Sequence, residues 1–244
     1  MYTDSIQFFS STGFDKILLI SMDMEPIEIC RGIYPIINVD PMSNMDEILD
    51  WALTLYDQGI RMVQVRAKMF SEEMLPGILD EMVSNLKGSG LAVILNDYVE
   101  LVGITGGDGV HVGIEDYPVS QARSALGRDA IIGGTCRNSE QAFEAIRQGA
   151  TYIAAGSVYE SGTKSGVPVI GTDGLKRIVE EVKRTKPEIP ICAIGGINSG
   201  NIREVHSAGA DMVAVIGAVQ GDSTPSQAAR DLVKMWISFD SAGD

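Results

Sequence analysis

The sequence predicts an α/β protein, a single (β/α)8 TIM barrel with an N-terminal extension, and three observations predict it. From about Ile33 onward, short runs rich in Val and Ile alternate with amphipathic stretches, which is the pattern of repeated βα units. The apolar runs lack polar alternation, as strands do when both of their faces are covered. The helical stretches close at glycine: Gln58-Gly59-Ile60, Gln148-Gly149-Ala150 and Ala208-Gly209-Ala210 each put a residue tolerant of left-handed backbone just before the next strand. A doubly wound open sheet is the competing arrangement, and no opening G-x-G-x-x-G turn supports it.

Eight strands are expected near residues 33–39, 61–66, 91–95, 108–112, 130–134, 151–155, 189–194 and 211–216. The segments between them read as helices. Asp46 to Tyr56 sets Ile48, Leu49, Ala52, Leu53 and Tyr56 on one stripe. Ser71 to Leu86 is longer and carries Pro76 in its first turn, where a missing N–H costs nothing. Ser139 to Gln148 follows an Asn/Ser cap and buries Ala142, Ala145 and Ile146. Asp173 to Lys183 buries Leu175, Ile178 and Val179, and Gln227 to Trp236 closes the chain. The barrel is assigned to residues 31–244. Residues 1–30 lie outside the repeat and could form a lid across the barrel's N-terminal end, a contact in a homo-oligomer, or nothing ordered.

Composition fits this frame and narrows the function. The 244 residues suit one barrel, which takes about 250. With 19 Lys and Arg against 33 Asp and Glu the net charge is −14, which argues against nucleic acid as a partner. At face value it also argues against anionic substrates. Three Cys and two His exclude a disulfide framework and leave too few ligands for most zinc sites. No apolar run is long enough to span a membrane, and the short run Ile17-Leu18-Leu19-Ile20 lacks the flanks of a signal peptide. The expectation is a cytoplasmic protein with reduced cysteines.

In a barrel, chemistry belongs to the strand C-termini and the loops beyond them. After the second strand, alternation puts Gln64, Arg66 and Lys68 on one side of the mouth. Asn96 and Asp97 follow the third strand, and Glu115 and Asp116 follow the fourth. Carboxylates on neighbouring strands suit Mg²⁺, which leans on substrate phosphates, although each Asp could equally cap a helix. The fifth strand ends in Gly133-Gly134-Thr135-Cys136-Arg137-Asn138, where paired glycines would let a ligand approach the backbone. Cys136 lacks an evident base and is a poor candidate nucleophile. His111 reads as either a packed core histidine or a catalytic one, and His206 as a helix residue. The hydroxyl-rich loop from Gly156 to Gly166, with its single Lys164, suits a phosphate clamp. Gly195-Gly196 and Ile216-Gly217 end the last two strands. There, exposed N–H groups and a short helix would receive a phosphate monoester.

These motifs resemble the thiamine phosphate synthases, from Ile33 to about Gln220 and at seven of the strand ends. The resemblance implies a transferase of thiamine biosynthesis. It would move a hydroxymethylpyrimidine unit from its diphosphate to a phosphorylated thiazole, releasing pyrophosphate. Asp97 and Asp116 would be Mg²⁺ ligands. Gln64, Arg66, Lys68, Asn96, Thr135 and Lys164 would bind the pyrimidine diphosphate, with Arg66, Lys68, Lys164 and Thr135 serving the reaction itself. Ser161 and Thr163 in the loop before Lys164, together with Gly196, Ile216 and Gly217, would hold the thiazole phosphate. The family chemistry is dissociative and needs no protein nucleophile. The chain departs from the usual pattern at Ala67, Ile114, Thr135, Arg137 and Gly217, where Glu, Gln, Ser, His and Ser are common. A thiazole tautomerase-like relative and a non-catalytic phosphate- or thiamine-binding barrel are the rival readings. The presence of Asp97, and of Arg137 in place of His, favours the synthase over the tautomerase.

Overall fold

Parallel strands buried on both faces need crossover helices to cover them, and eight such units can close on themselves. A computed structural model of the chain, describing residues 25–162, 166–220 and 224–240, shows that closure. The strands are β1 (Gly32–Asn38), β2 (Met62–Arg66), β3 (Ala92–Asn96), β4 (Gly109–Val112), β5 (Ile131–Cys136), β6 (Tyr152–Gly156), β7 (Ile191–Ile194) and β8 (Met212–Val215). Each pairs in parallel with the next, and β1 returns to β8 through Gly32↔Met212 and its neighbours. The expected Ile17–Ile20 run, Thr163 and Lys164 lie outside the described residues, as does most of the 1–30 extension.

A short helix α1 (Pro26–Ile29) precedes the barrel, and Ile29 and Cys30 pack against the interior residues at the strand starts. The helices between strands are α2 (Met45–Leu53), α3 (Leu75–Leu86), α4 (Val99–Thr105), α5 (Val119–Leu126), α6 (Ser139–Arg147), α7 (Gly171–Thr185) and α8 (Ile202–Ser207). The short α9 (Gly217–Gln220) follows β8, and α10 (Pro225–Asp240) ends the described chain. Glycines close helices as expected, with Gly59 and Gly149 both at φ 96°. At α6 the cap is a side chain: Asn138 Oδ1 accepts from the Gln141 N–H at 2.9 Å.

Two layers of apolar side chains result. The larger lies between strands and helices and includes Ile37, Val63, Val65, Leu95, Leu79, Ile178 and Trp236. The smaller fills the barrel with the opposite strand faces: Tyr34, Ile36, Met62, Ile94, Tyr152, Cys192 and Met212. Two details differ from the sequence-based expectation. Leu53, placed on the buried stripe of α2, is 44% exposed, while Trp51 turns inward at 7%. The helix ends at Thr54 and a 3-10 turn follows at Tyr56–Gln58, and the buried arc through Leu49 and Ala52 extends to Trp51 on the side opposite Leu53. Helix α3 begins at Leu75 rather than Ser71, with Ser71–Met74 spent on a turn before Pro76.

Candidate active site

Strand direction decides which residues can meet. The inward faces of β2, β3 and β5 carry Gln64 and Arg66, Asn96, and Thr135. All of these converge with Lys68 on one cavity of about 680 Å³ at the C-terminal mouth. Asp116 and Glu115 reach it from the loop after β4, and Ser161 and Gly162 from the loop after β6. Gly195, Gly196, Ile216 and Gly217 complete the opposite wall. This volume suits a small-molecule site. A shallower hollow lies outside the mouth between α5 and α6, lined by Tyr117, Phe143 and Glu144. It shares only the Asp116–Thr135 rim with the residues gathered above.

The polar side of the mouth is already knitted together. Lys68 Nζ lies 2.5 Å from Asp97 Oδ2, and Asn96 Nδ2 donates to Asp97 Oδ1 at 3.0 Å. Arg66 donates to Asn38 Oδ1, while Gln220 grips the Asn38 backbone through bonds of 2.7 and 2.6 Å. Asp97 itself has φ 73°, the one non-glycine residue at positive φ among the described residues. An outlier of that kind marks a position whose surroundings impose its conformation, and such positions cluster at functional sites. Asp97 therefore does not act as a plain helix cap; its carboxylate turns to Lys68. Asp116 does close a local turn, accepting from the Gly113 N–H at 3.1 Å.

Below the mouth runs a buried chain of polar groups. Gln64 Nε2 donates to the Tyr34 hydroxyl at 3.0 Å, which meets the Tyr152 hydroxyl at 3.1 Å. Tyr152 meets His111 Nδ1 at 3.0 Å, and His111 Nε2 meets Thr135 Oγ1 at 3.0 Å. Burial holds both phenols un-ionised, pushing each well above the usual tyrosine range. The two readings of His111 thus merge: it is a packed, hydrogen-bonded residue whose outer nitrogen touches a mouth residue. Sequence reasoning missed Tyr34 and Tyr152; their inward parity with Ile36 and Ala154 was the available signal. It also misread Gly133-Gly134. A Cβ on Gly133 would fall 2.2 Å from the Tyr152 ring and 2.5 Å from His111 Nδ1, and one on Gly134 would press on Ala145 and Val119 at 3.2 Å. These glycines make room for side chains of the protein, not for a ligand.

The opposite wall is built from backbone. Gly195 and Gly196 sit at φ 103° and 65°, and a Cβ there would come within 1.9 Å of Ser157 Oγ and 2.3 Å of the Glu160 carbonyl. Only glycine fits at this pair. Helix α9 starts at Gly217, directly at the cavity, as the short helix expected after the last strand. Cys136 faces the helical layer, fully buried, and burial pushes its thiol up to about 12, so no thiolate is available for attack. His206 packs on Trp236 and Phe239 of α10 and bonds Asp240, far from the mouth in role.

The thiamine monophosphate synthase family model matches residues 33–219, from β1 through most of α9. The chain belongs to that family. It is accordingly an enzyme of the transferase class, tied to thiamine biosynthesis. The thiamine-phosphate synthase of Nitrosospira multiformis is 42% identical over 164 residues, covering 67% of this chain and 68% of the relative. That of Caldivirga maquilingensis is 32% identical over 206 residues, covering 84% and 97%. Among solved structures, the thiamine phosphate pyrophosphorylase from Pyrococcus furiosus superposes with a TM-score of 0.73 at 30% identity, covering 87% of this chain and 98% of that one. Among the described residues no helix is long and apolar enough to cross a membrane.

Proposed function

We propose that the chain is a thiamine-phosphate synthase, joining a hydroxymethylpyrimidine diphosphate to a hydroxyethylthiazole phosphate with release of pyrophosphate. The observation that carries this reading is the two-sided mouth: cations and carboxylates on β2–β4 face a glycine-built wall on β7 and β8 across one cavity. Two phosphorylated substrates need two anion sites of different character, and this cavity offers both. The three free, buried cysteines support the expectation of a reducing, cytoplasmic setting.

The donor set bears on Mg²⁺. Among the described residues no group of three or more His, Cys, Asp or Glu could hold a metal unaided. Asp116 lines the cavity and Asp97 is paired with the lining Lys68; these two hard oxygen donors would fit an ion completed by substrate phosphates and water. When bound, Mg²⁺ would supply charge stabilisation to the departing diphosphate.

The residues of the chain do the rest in this reading. Arg66 and Lys68 hold the diphosphate oxygens and stabilise the charge that grows on them as the bond to the pyrimidine methylene breaks. Thr135 and Asn96 orient the pyrimidine diphosphate, with Gln64 supporting Tyr34 beneath it. The N–H groups at Gly196, Ile216 and Gly217, with Ser161 and Thr163, hold the thiazole phosphate so that the ring nitrogen faces the resulting cation. Lys164 serves as a further binder of the diphosphate. Holding the thiazole in place and excluding water let nitrogen rather than solvent capture the cation.

The test is direct. Purified protein with Mg²⁺ and both substrates yields thiamine phosphate by mass spectrometry and releases pyrophosphate only when both are present. Folded protein that forms no thiamine phosphate from fresh substrates refutes the reading. Lys164→Ala should lower turnover far more than thermal stability, and an unchanged rate would remove the loop after β6 from the account.

A further inference from the structure

Three cations line the cavity among the described residues, and they are not equally occupied. Arg66 bonds Asn38 and Lys68 bonds Asp97. Arg137, two residues beyond Thr135 on the same face of the chain leaving β5, has no hydrogen bond or ion pair to its guanidinium among the described residues. Its Nε is shut away from solvent with no partner. The backbone beneath it is nevertheless fixed. The Arg137 N–H donates to Gln141 Oε1 at 2.8 Å, and Gln141 N–H donates back to Asn138 Oδ1 at 2.9 Å, so the first turn of α6 clamps the residue in place. A half-buried guanidinium on an anchored backbone, lining a cavity with no side chain of the described residues bonded to it, is prepared for an anion with several oxygens.

Resting on the synthase reading above, we propose that Arg137 binds the diphosphate of the pyrimidine substrate, and the pyrophosphate product, as a specificity-determining cation. Its place in the barrel selects that anion over the thiazole phosphate. Strand β5 pairs with β4 through Val112↔Gly134, which sets Arg137 beside the Gly113–Asp116 loop and Thr135, on the polar side of the mouth. The glycine wall belongs to β7 and β8, at least two strands further round. Arg137 also answers a charge problem local to this side. Glu115, Asp116 and Glu160 all line the cavity, and a diphosphate entering beside three carboxylates gains from a further cation, next to Arg66 and Lys68, whose guanidinium is not already bonded to a neighbouring side chain.

Calorimetric titration of inorganic pyrophosphate with Mg²⁺ into the purified chain tests this without requiring turnover. Arg137→Gln should weaken pyrophosphate binding about tenfold or more, the scale of a lost charge-assisted contact. Arg137→Lys should recover part of the loss, since it restores the charge and not the planar fork. In the steady state, KM for the pyrimidine diphosphate should rise in the same order, Gln above Lys, while KM for the thiazole phosphate stays at the wild-type value. Pyrophosphate affinity within about twofold of wild type in folded Arg137→Gln overturns the proposal, because such a change is too small for a direct contact. A rise confined to the thiazole-phosphate KM overturns it as well. If Arg137→Gln does not fold, Arg137→Met, which also removes the charge, decides by the same criterion. Should the wild-type chain make no thiamine phosphate, the synthase reading fails, and the pyrophosphate titration still rules on Arg137.

Discussion

The two sides of the mouth recognise by different means. From β2 to β5 the wall is made of side chains that already bind one another: Lys68 to Asp97, Asn96 to Asp97, Arg66 to Asn38, Thr135 to His111. From the end of β6 to β8 it is made of backbone, with Gly195 and Gly196 pressed against Ser157 and Glu160. Preorganised side chains can be lost one at a time, each at a cost in charge or orientation. A glycine wall instead fails through sterics, because any added atom displaces its neighbours. Substitutions on the two sides should therefore damage different quantities, activity on one and folding on the other.

The largest effect is expected at Gly195→Ala. It combines left-handed backbone at φ 103° with a Cβ placed 1.9 Å from Ser157 Oγ and 2.8 Å from Ser157 Cα. Adding about 1–2 kcal/mol for conformation to about 1–3 kcal/mol for overpacking gives a loss of about 2–5 kcal/mol in unfolding free energy, read by denaturant titration. A variant as stable as wild type would show that the wall can yield, and the contrast would disappear.

Asp97→Ala should show the opposite pattern. Under the synthase reading it lowers Mg²⁺-dependent turnover about 100-fold or more, equivalent to about 2.7 kcal/mol of transition-state stabilisation. Its effect on stability should stay within about 1 kcal/mol, since the Lys68 partner is one-third exposed and can be resolvated. Wild-type rates in this variant, or in the native enzyme with EDTA, would remove the metal from the account. A large fall in melting temperature would instead make Asp97 a structural residue like those of the glycine wall.

Between these extremes lies the buried chain that joins the barrel interior to the polar side. Tyr152→Phe leaves the ring stacked beside His111 but removes the hydroxyl bridging Tyr34 and His111 Nδ1. Taking one hydrogen-bond partner from each of these buried groups costs about 1–3 kcal/mol of stability. Because His111 then loses its inner partner while Thr135 remains bonded to its outer one, KM for the pyrimidine diphosphate should rise as well. Thermal melts together with steady-state kinetics check both. A loss of stability with unchanged KM would confine the chain to packing.

How far the sequence disclosed these regions follows from what each is made of. The strands were legible because burial on both faces writes them as unbroken Val and Ile runs, and the helix ends because left-handed backbone calls for glycine. The mouth residues on β2 could be gathered in advance since Gln64, Arg66 and Lys68 share one parity, and parity survives folding. Contacts between different strands could not be read that way. The Lys68–Asp97 pair depends on the left-handed backbone at Asp97, which no local pattern announces. Gly133 resembled a ligand approach because a glycine records that space is needed without recording who fills it; Tyr152, nineteen residues on, takes that space. Leu53 lies at the edge of the apolar stripe of α2, and packing settles the edge in favour of Trp51 on the other side of Ala52, a choice that periodicity alone does not make. Arg137 was visible only as a departure from a familiar pattern, and its idle guanidinium emerges once its neighbours are located.

The smallest expected effect sharpens the comparison most, because it separates backbone recognition from tight packing within a single wall. Gly217 opens α9 at the cavity, yet a Cβ there would meet nothing within 4 Å, and its φ is not positive. Gly217→Ala should therefore leave stability within about 0.5 kcal/mol of wild type, in contrast to Gly195→Ala on the same side of the mouth. The N–H proposed to meet the thiazole phosphate is retained, so KM for that substrate should change by less than about threefold, under 1 kcal/mol of binding. Equal stability with a much higher KM would mean that the phosphate approaches the Gly217 Cα closely enough to exclude a methyl group, giving that glycine a steric role toward ligand. A stability loss as large as that of Gly195→Ala would mean that the whole wall is equally tight. The distinction between a glycine that packs the protein and one that leaves a helix terminus open would then have to be abandoned.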